Sequence, residues 1–437
     1  LRRRVAVIGG GITGLAACYQ LEKLGFESIT LFEVASRLGG KLRTEIHSDF
    51  LVEHGPDSIF TRQKSILDLI DELGLSEEVI EPATRGFGIY LDGAVRPIPP
   101  GLSRVAKVDI EALSSFPYLS EAAKAAVRAE SEVPPNLDVD ESVAGFFRRR
   151  FGIEYASKIA EPLFAGTHGG SAEALSMAAL YPDYRAAERQ YGSLAAASES
   201  GAVASTAKFV SFKGGLEALS KGICSRLRFT KVRMRPVCAV SKDQRLLVEN
   251  EEFDAAILAT PAHDAAEILS GYGEVSGALS QIQANSSVIV SLRYPAADDM
   301  LGLRGTGFLV PEAEDLATRG ATWSSMKWRS RSTAGHALVR VFMRWREDSD
   351  DGLLEDAKEA LRLMVGIEME PEYWQVHRWR KGLPIYGIGH AELVNDISQK
   401  LLRLAPIHLA GQSYRGVGIP DCVRQGIEAA EALAAGS

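Results

Sequence analysis

Short apolar runs alternate along the chain with stretches of helical spacing. Val5-Ala6-Val7-Ile8 is an apolar run of the kind that forms a strand covered on both faces. Gly9 to Gly14 interrupts it, Leu15 to Gly25 carries helical periodicity, and Ile29-Thr30-Leu31-Phe32 predicts a second buried strand ending at Glu33. Gln63 to Gly74 places Ile66, Leu67, Ile70 and Leu73 on one helical face, with Gly74 as a stop. From Gly86 to Pro100 the pattern becomes a hairpin: Ile89-Tyr90-Leu91, an Asp92-Gly93 turn, then Val95 to Ile98. Ala- and Glu-rich sequence from about 102 to 164 predicts helices, broken at Pro134-Pro135. Beyond Lys208 the α/β alternation resumes, residues 286–345 predict a second sheet, and a strand at Ile407 to Ala410, a glycine turn and a helix from Pro420 repeat the opening pattern.

Composition narrows the classes. With 437 residues, 46% hydrophobic and 24% charged, the chain has the balance of a folded globular protein rather than a disordered one. Its 49 basic and 57 acidic residues give a net charge of −8, which argues against a nucleic-acid partner. The four cysteines lie far apart without a CxxC pair, and the eight histidines show no HxxxH spacing, so no metal is expected. The charge-free stretch Val5 to Leu21 holds four glycines and is short for a bilayer. Arg2-Arg3-Arg4, an apolar run and Leu15-Ala16-Ala17-Cys18 imitate a lipoprotein signal, but cleavage there would discard the first strand and helix.

The glycines carry chemistry. Gly9-Gly10-Gly11-Ile12-Thr13-Gly14 fits G-x-G-x-x-G between a strand and a helix: Gly9 for the turn, Gly11 for close approach to a pyrophosphate, Gly14 for helix–strand packing. The helix start offers free N–H groups and partial positive charge to phosphates. Glu33, 19 residues past Gly14, is placed to take ribose hydroxyls. A second glycine turn with flanking cations, Arg37-Leu38-Gly39-Gly40-Lys41, follows closely, as a ligand longer than one nucleotide requires. His54-Gly55-Pro56-Asp57-Ser58 adds a third turn. A helix beginning near Pro420 aims its positive end at whatever lies before Val417, Gly418 and Ile419, a position that favours a reduced flavin. The order of elements then predicts an α/β protein: a discontinuous Rossmann-like FAD-binding domain with an inserted mixed-sheet substrate domain and a helical subdomain. The expected boundaries are 1–82, 202–275 and 385–437 for the FAD-binding domain, 83–100, 178–201 and 276–384 for the substrate-binding domain, and 101–177 for the helical subdomain.

These stretches, with Glu161 to Gly166, Lys213-Gly214-Gly215-Leu216, Trp379 to His390 and Gly416 to Cys422, resemble the monoamine-oxidase-like flavoproteins, and among them the protoporphyrinogen and coproporphyrinogen III oxidases of bacterial type. The resemblance spans nearly the whole chain. It implies FAD contacts at Gly9, Gly11, Ile12, Thr13, Gly14, Glu33, Arg37, Gly40, Lys41, Gly55, Pro56, Asp57 and Ser58, main-chain groups of Val237 beside adenine, and Trp379, Val417, Gly418 and Ile419 near the flavin. It implies a porphyrinogen substrate, molecular oxygen as acceptor and a role in heme biosynthesis. Leu309 would pack on a pyrrole face, Met343 or Phe342 would line the pocket, and Arg85, Arg96, Arg340 and Arg344 are candidates for propionates, Arg85 foremost. Phe87 stands where eukaryotic-type relatives carry a propionate-binding arginine, which shifts the expectation toward coproporphyrinogen III. The helical insert is Ala-, Glu- and Arg-rich, so at most peripheral membrane contact and a cytoplasmic location are expected. No residue stands out as a general base. An amine oxidase or carotenoid desaturase shares the flavin motifs, and a flavin-binding protein without turnover is the remaining alternative.

Overall fold

The first strand, Arg4–Ile8, lies at the centre of a five-stranded parallel sheet in the order Thr230–Met234, Ser28–Glu33, Arg4–Ile8, Ala255–Leu258, Ile407–Leu409. The computed structural model describes residues 3–98, 108–137, 140–166, 168, 170–201, 207–242 and 244–436. Both faces of this sheet are covered, which is why its strands are apolar without alternation. Val5 and Val7 face a core with the helices Ile12–Lys23, Glu217–Cys224 and Ile419–Ala435. Ala6 and Ile8 face a second core, shared with the small antiparallel sheet of residues 240–253 and the helices Ala262–Ile268 and His390–Leu404.

A seven-stranded sheet forms the second body, in the order Tyr373–Pro384, Ala284–Tyr294, Ala337–Arg344, Thr318–Trp323, Gly307–Leu309, Gly88–Leu91, Ala94–Pro97. All its pairings are antiparallel except that of Gly307–Leu309 with Gly88–Leu91. Side-chain alternation divides it cleanly. Val339, Val341 and Met343 pack under the helix Asp350–Val365, whose Leu353, Ala357, Leu361 and Met364 repeat at helical spacing. Arg340, Phe342 and Leu309 lie on the other side, Leu309 against the helical layer.

That helical layer gathers Phe116, Phe146, Phe147, Phe151, Tyr155 and Phe164 in one core, from helices between Ile110 and Glu199. Tyr184, Ala187, Leu194 and Ala197, in the stretch 178–201 that sequence reading assigns to the substrate-binding domain, pack into this core, which also takes in Ile89 and Leu91 of the seven-stranded sheet. A buried Arg150–Glu188 pair, at 3.0 Å, ties the helix Pro182–Tyr191 to the helix Val143–Phe151, a link that crosses too much sequence to show in local periodicity. Residues Ala156–Ala165 run as a π-helix with Pro162 inside it. Among the described residues, no helix is long and apolar enough to cross a membrane.

Candidate active site

The opening glycine turn separates packing from ligand space. A Cβ on Gly14 would lie 1.9 Å from the Gly9 carbonyl oxygen, and one on Gly9, at φ +106°, would lie 2.6 Å from that of Ala259. These two positions let the helix sit on the sheet. Gly11 is different: a Cβ there meets nothing within 4 Å. The gap lies at the start of the helix Ile12–Lys23, whose cap makes no side-chain hydrogen bond and whose first turn, with Ile12 and Thr13, holds no acid. Its positive end is therefore available to an anion. Glu33 ends the neighbouring strand, its buried carboxylate accepting from the N–H groups of Gly10 (2.6 Å) and Ala35 (2.8 Å). Val237 lies three residues beyond the Met234–Glu33 pairing, in the core behind that strand.

The second turn lies directly on the first. The Gly39 N–H donates to Gly10 O at 2.8 Å, and Gly40, at φ +55°, approaches so closely that a Cβ would stand 3.0 Å from Gly11 Cα. Arg37 braces this turn from within, donating to Gly40 O (2.8 Å), Leu42 O (2.6 Å) and Glu217 Oε1 (2.9 Å). Lys41 Nζ donates to Gly382 O, which also accepts from Gln412 at 3.1 Å. Burial pushes the Lys41 ammonium down to about 8. No carboxylate forms an ion pair with it among the described residues, and it directly follows Gly40, which lies against Gly11.

Strand Tyr373–Pro384 and the turn before the last helix close the ring. Trp379 Nε1 donates to His54 O at 2.8 Å, and Gly382 lets the chain fold back over Trp379. Helix Ile419–Ala435 starts with the Gly418 N–H donating to Asp421 Oδ2 at 3.2 Å, and Gln63 donates to the other oxygen. It crosses the first helix at Gly426, where a Cβ would lie 2.4 Å from Thr13 O, and its Cys422 hydrogen-bonds the Thr13 side chain. The two helix starts, with Val417 to Ile419 before the second, thus point into one region.

Gly55 to Ser58 are held from below. The buried Arg340 donates to Gly55 O, and a Cβ on Gly55 would lie 2.3 Å from Lys41 O. Asp57, beyond Pro56, accepts from Lys327 Nζ at 3.0 Å, Trp328 Nε1 at 3.2 Å and Ser58 Oγ at 2.8 Å. Burial pushes its carboxyl up, but Lys327 and Arg340 outweigh that and hold it well below the usual carboxylate range.

A hydrogen-bonded chain begins one residue earlier. His54 Nδ1 meets His377 Nδ1 at 3.0 Å, and His54 Nε2 meets Glu45 Oε2 at 3.0 Å. With Glu45 ionised, one tautomer set satisfies both contacts: His54 donates through Nε2 and accepts through Nδ1 from His377. Burial, then His54 and Arg43, push His377 down to about 4. Its neutral form is the folded one, so the stability it contributes is complete above about pH 6.5, the unfolded value, and is lost as pH falls toward about 4. Thermal melts should show this decline over that window, and a His377→Gln variant should melt with a shallower pH slope. Parallel slopes would count against the assignment.

The family profile of flavin-containing amine oxidoreductases matches residues 12–434. The chain belongs to that family. As a member it is an FAD-dependent oxidoreductase. It is similar to the coproporphyrinogen III oxidase of Bacillus subtilis, at 30% identity over 97% of this chain and 96% of that protein. It is similar to the protoporphyrinogen oxidase of Homo sapiens at 30% identity over 98% of each chain. A crystal structure of a putative protoporphyrinogen oxidase from Exiguobacterium superposes with a TM-score of 0.88 at 29% identity, covering 100% of this chain and 99% of that one.

Not every residue expected at the site of this flavin-dependent oxidoreductase is there. Met343 is buried in the core under the helix Asp350–Val365; strand alternation turns it away from the face that carries Arg340 and Phe342. Arg85 leaves 85% of its side chain in solvent, with Glu81 at 4.0 Å as its ion-pair partner. Arg340 is beneath Gly55 rather than in open space, Arg344 pairs with Asp315 at 3.0 Å, and Arg96 lies over the Tyr118 ring. Leu309 keeps a half-buried place between sheet and helical layer. His168 hydrogen-bonds the Tyr181 hydroxyl at 3.0 Å, and that hydroxyl donates to Phe164 O. Sequence reading missed Lys327, Trp328 and His377, all of which reach the site across long separations with no local motif.

Proposed function

We propose that this protein oxidises a porphyrinogen to the porphyrin in heme biosynthesis, with coproporphyrinogen III preferred over protoporphyrinogen IX and molecular oxygen as the final acceptor. The observation that carries the reading is the open space beside Gly11 at the start of the first helix, in a chain that runs the full length of porphyrinogen oxidases. The residues suit FAD. Main-chain groups of Gly9, Gly11, Ile12, Thr13 and Gly14 would meet the diphosphate, Glu33 would exchange its present N–H partners for ribose hydroxyls, and Val237 would border the adenine. Gly40 and Lys41 would hold the phosphates, with Arg37 fixing their turn. Gly55 to Ser58, Trp379 and Val417 to Ile419 would border the ring. Bound FAD supplies a two-electron acceptor that oxygen regenerates with release of hydrogen peroxide, so three rounds complete the six-electron oxidation.

The protein's part is to hold the tetrapyrrole flat beside Leu309 and keep water out. No strong base is required, because pyrrole nitrogens stabilise the cation left by hydride loss and an N–H proton then leaves. An aromatic cage of the amine-oxidase kind is disfavoured: Tyr414 is 2% exposed and its hydroxyl donates to Thr260 O at 3.3 Å. The cytoplasm, with at most peripheral contact with the inner face of the membrane, is the proposed location. Flavin-loaded protein should turn coproporphyrinogen III into fluorescent porphyrin faster than protoporphyrinogen IX, with oxygen consumed and peroxide formed. Rates no higher than buffer with both substrates would overturn the proposal.

A further inference from the structure

Beneath the turn Gly55 to Ser58 lies a group of five charged side chains with an unequal count. Asp57 pairs with Lys327 at 3.0 Å and Glu53 with Arg331 at 3.4 Å. Arg340, 2% exposed, donates to the Gly55 carbonyl and has no carboxylate of its own. Three cations thus share two carboxylates, and among the described residues no further acid forms an ion pair with any of the three. Glu45, beyond His54, is half-exposed and engaged by His54 and Gln375. His54 and His377 are pushed toward their neutral forms, by burial first, so neither alters the sum.

A buried charge without a counter-charge is costly, and the cost shows in the group itself. Burial pushes Arg331 and Arg340 down from the ordinary arginine range, Arg340 adds to the effect on Arg331, and the two carboxylates offset it only in part. The Nε atoms of both guanidiniums are buried without a hydrogen-bond partner. Such an excess is stabilised when a negative charge arrives beside it. The turn above is in direct contact with the group: Arg340 holds Gly55 O, and Lys327 reaches Ser58 Oγ at 3.3 Å. In the proposed placement this turn borders the flavin ring, which is neutral when oxidised and carries one negative charge after accepting a hydride.

We propose that the excess positive charge of this group favours the reduced, anionic state of bound FAD over the oxidised state, with Arg340 acting across the Gly55–Ser58 turn as a positioning rather than a catalytic residue. In the reaction a C–H bond of the substrate breaks, the flavin gains the hydrogen with both electrons, and the group stabilises the negative charge so created. The substrate keeps the positive charge until an N–H proton leaves. The inference rests on the placement of the ring beside this turn and adds to it a source of the flavin's electron affinity.

The test is the two-electron midpoint potential of FAD bound to the intact protein, read by anaerobic equilibration with a reference dye. A unit charge about 10 Å away, at an effective dielectric of about 20, changes the preference for the reduced state on the order of tenfold, which is about 30 mV for a two-electron couple. Arg340→Met should lower the potential by about that much, Glu53→Gln should raise it by a similar amount, and Arg340→Lys should stay near wild type. Loss of structure alone has no reason to move the two variants in opposite directions. If Arg340→Met holds no flavin, Lys327→Met removes the same charge from a half-buried place and should also lower the potential. Unmoved potentials, or a fall in every variant whatever its charge, overturn the inference. The readings beneath it fail separately: a Trp379→Phe variant with unchanged flavin absorption bands would remove the ring placement, and a wild type that does not turn over coproporphyrinogen III would remove the functional reading.

Discussion

Gly11→Val should give a folded, colourless protein. The backbone at Gly11, φ −72° and ψ −179°, is extended and open to valine, and no atom lies within 4 Å of the new Cβ. The new Cβ itself meets no atom, so the fold should tolerate the substitution. The added methyl groups occupy the space in which a diphosphate must approach the helix start, and the backbone N–H groups lose their reach. Affinity for FAD should fall at least about a hundredfold, roughly 2.7 kcal/mol. Flavin absorbance per protein, read beside far-ultraviolet circular dichroism, checks both halves. The proper stability reference is wild-type apoprotein, because bound cofactor itself raises the melting point. Gly14→Val is the contrast. Its Cβ would overlap the Gly9 carbonyl at 1.9 Å, so that variant should lose the fold together with the colour. A yellow Gly11→Val protein would remove the phosphate assignment.

Asp57→Ala should be strongly destabilising. The carboxylate is the shared partner of Lys327, Trp328 and Ser58, and it faces Arg340. Removing it leaves the half-buried Lys327 and the buried Arg340 without their shared counter-charge, at a cost of about 3–5 kcal/mol. Denaturant unfolding of the apoprotein reads the loss directly, without the contribution of flavin. Adding Lys327→Met to Asp57→Ala should restore a large part of it, because the uncompensated ammonium goes too. A loss below about 1 kcal/mol would show the pair to be solvated. The same group gives the acid limb. Its folded value is depressed, so its contribution is present above the unfolded carboxylate value of about 4 and disappears as pH falls below it.

The parts of this protein that could be read in advance are those set by neighbours in sequence. A buried parallel strand is a run of apolar residues, and a phosphate-binding turn is a set of glycines at fixed offsets; both are local. Strand alternation was available too, and would have separated Met343 from Phe342 had the covering helix Asp350–Val365 been assigned to one face. The electrostatic underlayer was not legible. Asp57–Lys327, Glu53–Arg331 and His54–His377 join residues hundreds of positions apart, and the distant partners Lys327, Arg331 and His377 lie in no motif. The arginines fail for a related reason. A guanidinium serves equally as brace, surface charge or buried counter-ion, and only packing separates Arg37, Arg85 and Arg340. The buried Arg150–Glu188 pair, which links helices about 40 residues apart, is likewise a contact no periodicity encodes.

The crossing of the last helix over the first at Gly426 fixes when the coenzyme can be acquired during biosynthesis. While residues 407–435 are still inside the ribosome, the nascent sheet lacks its fifth strand and the dinucleotide cradle lacks one wall. FAD is therefore expected to load only after these last residues have emerged and packed.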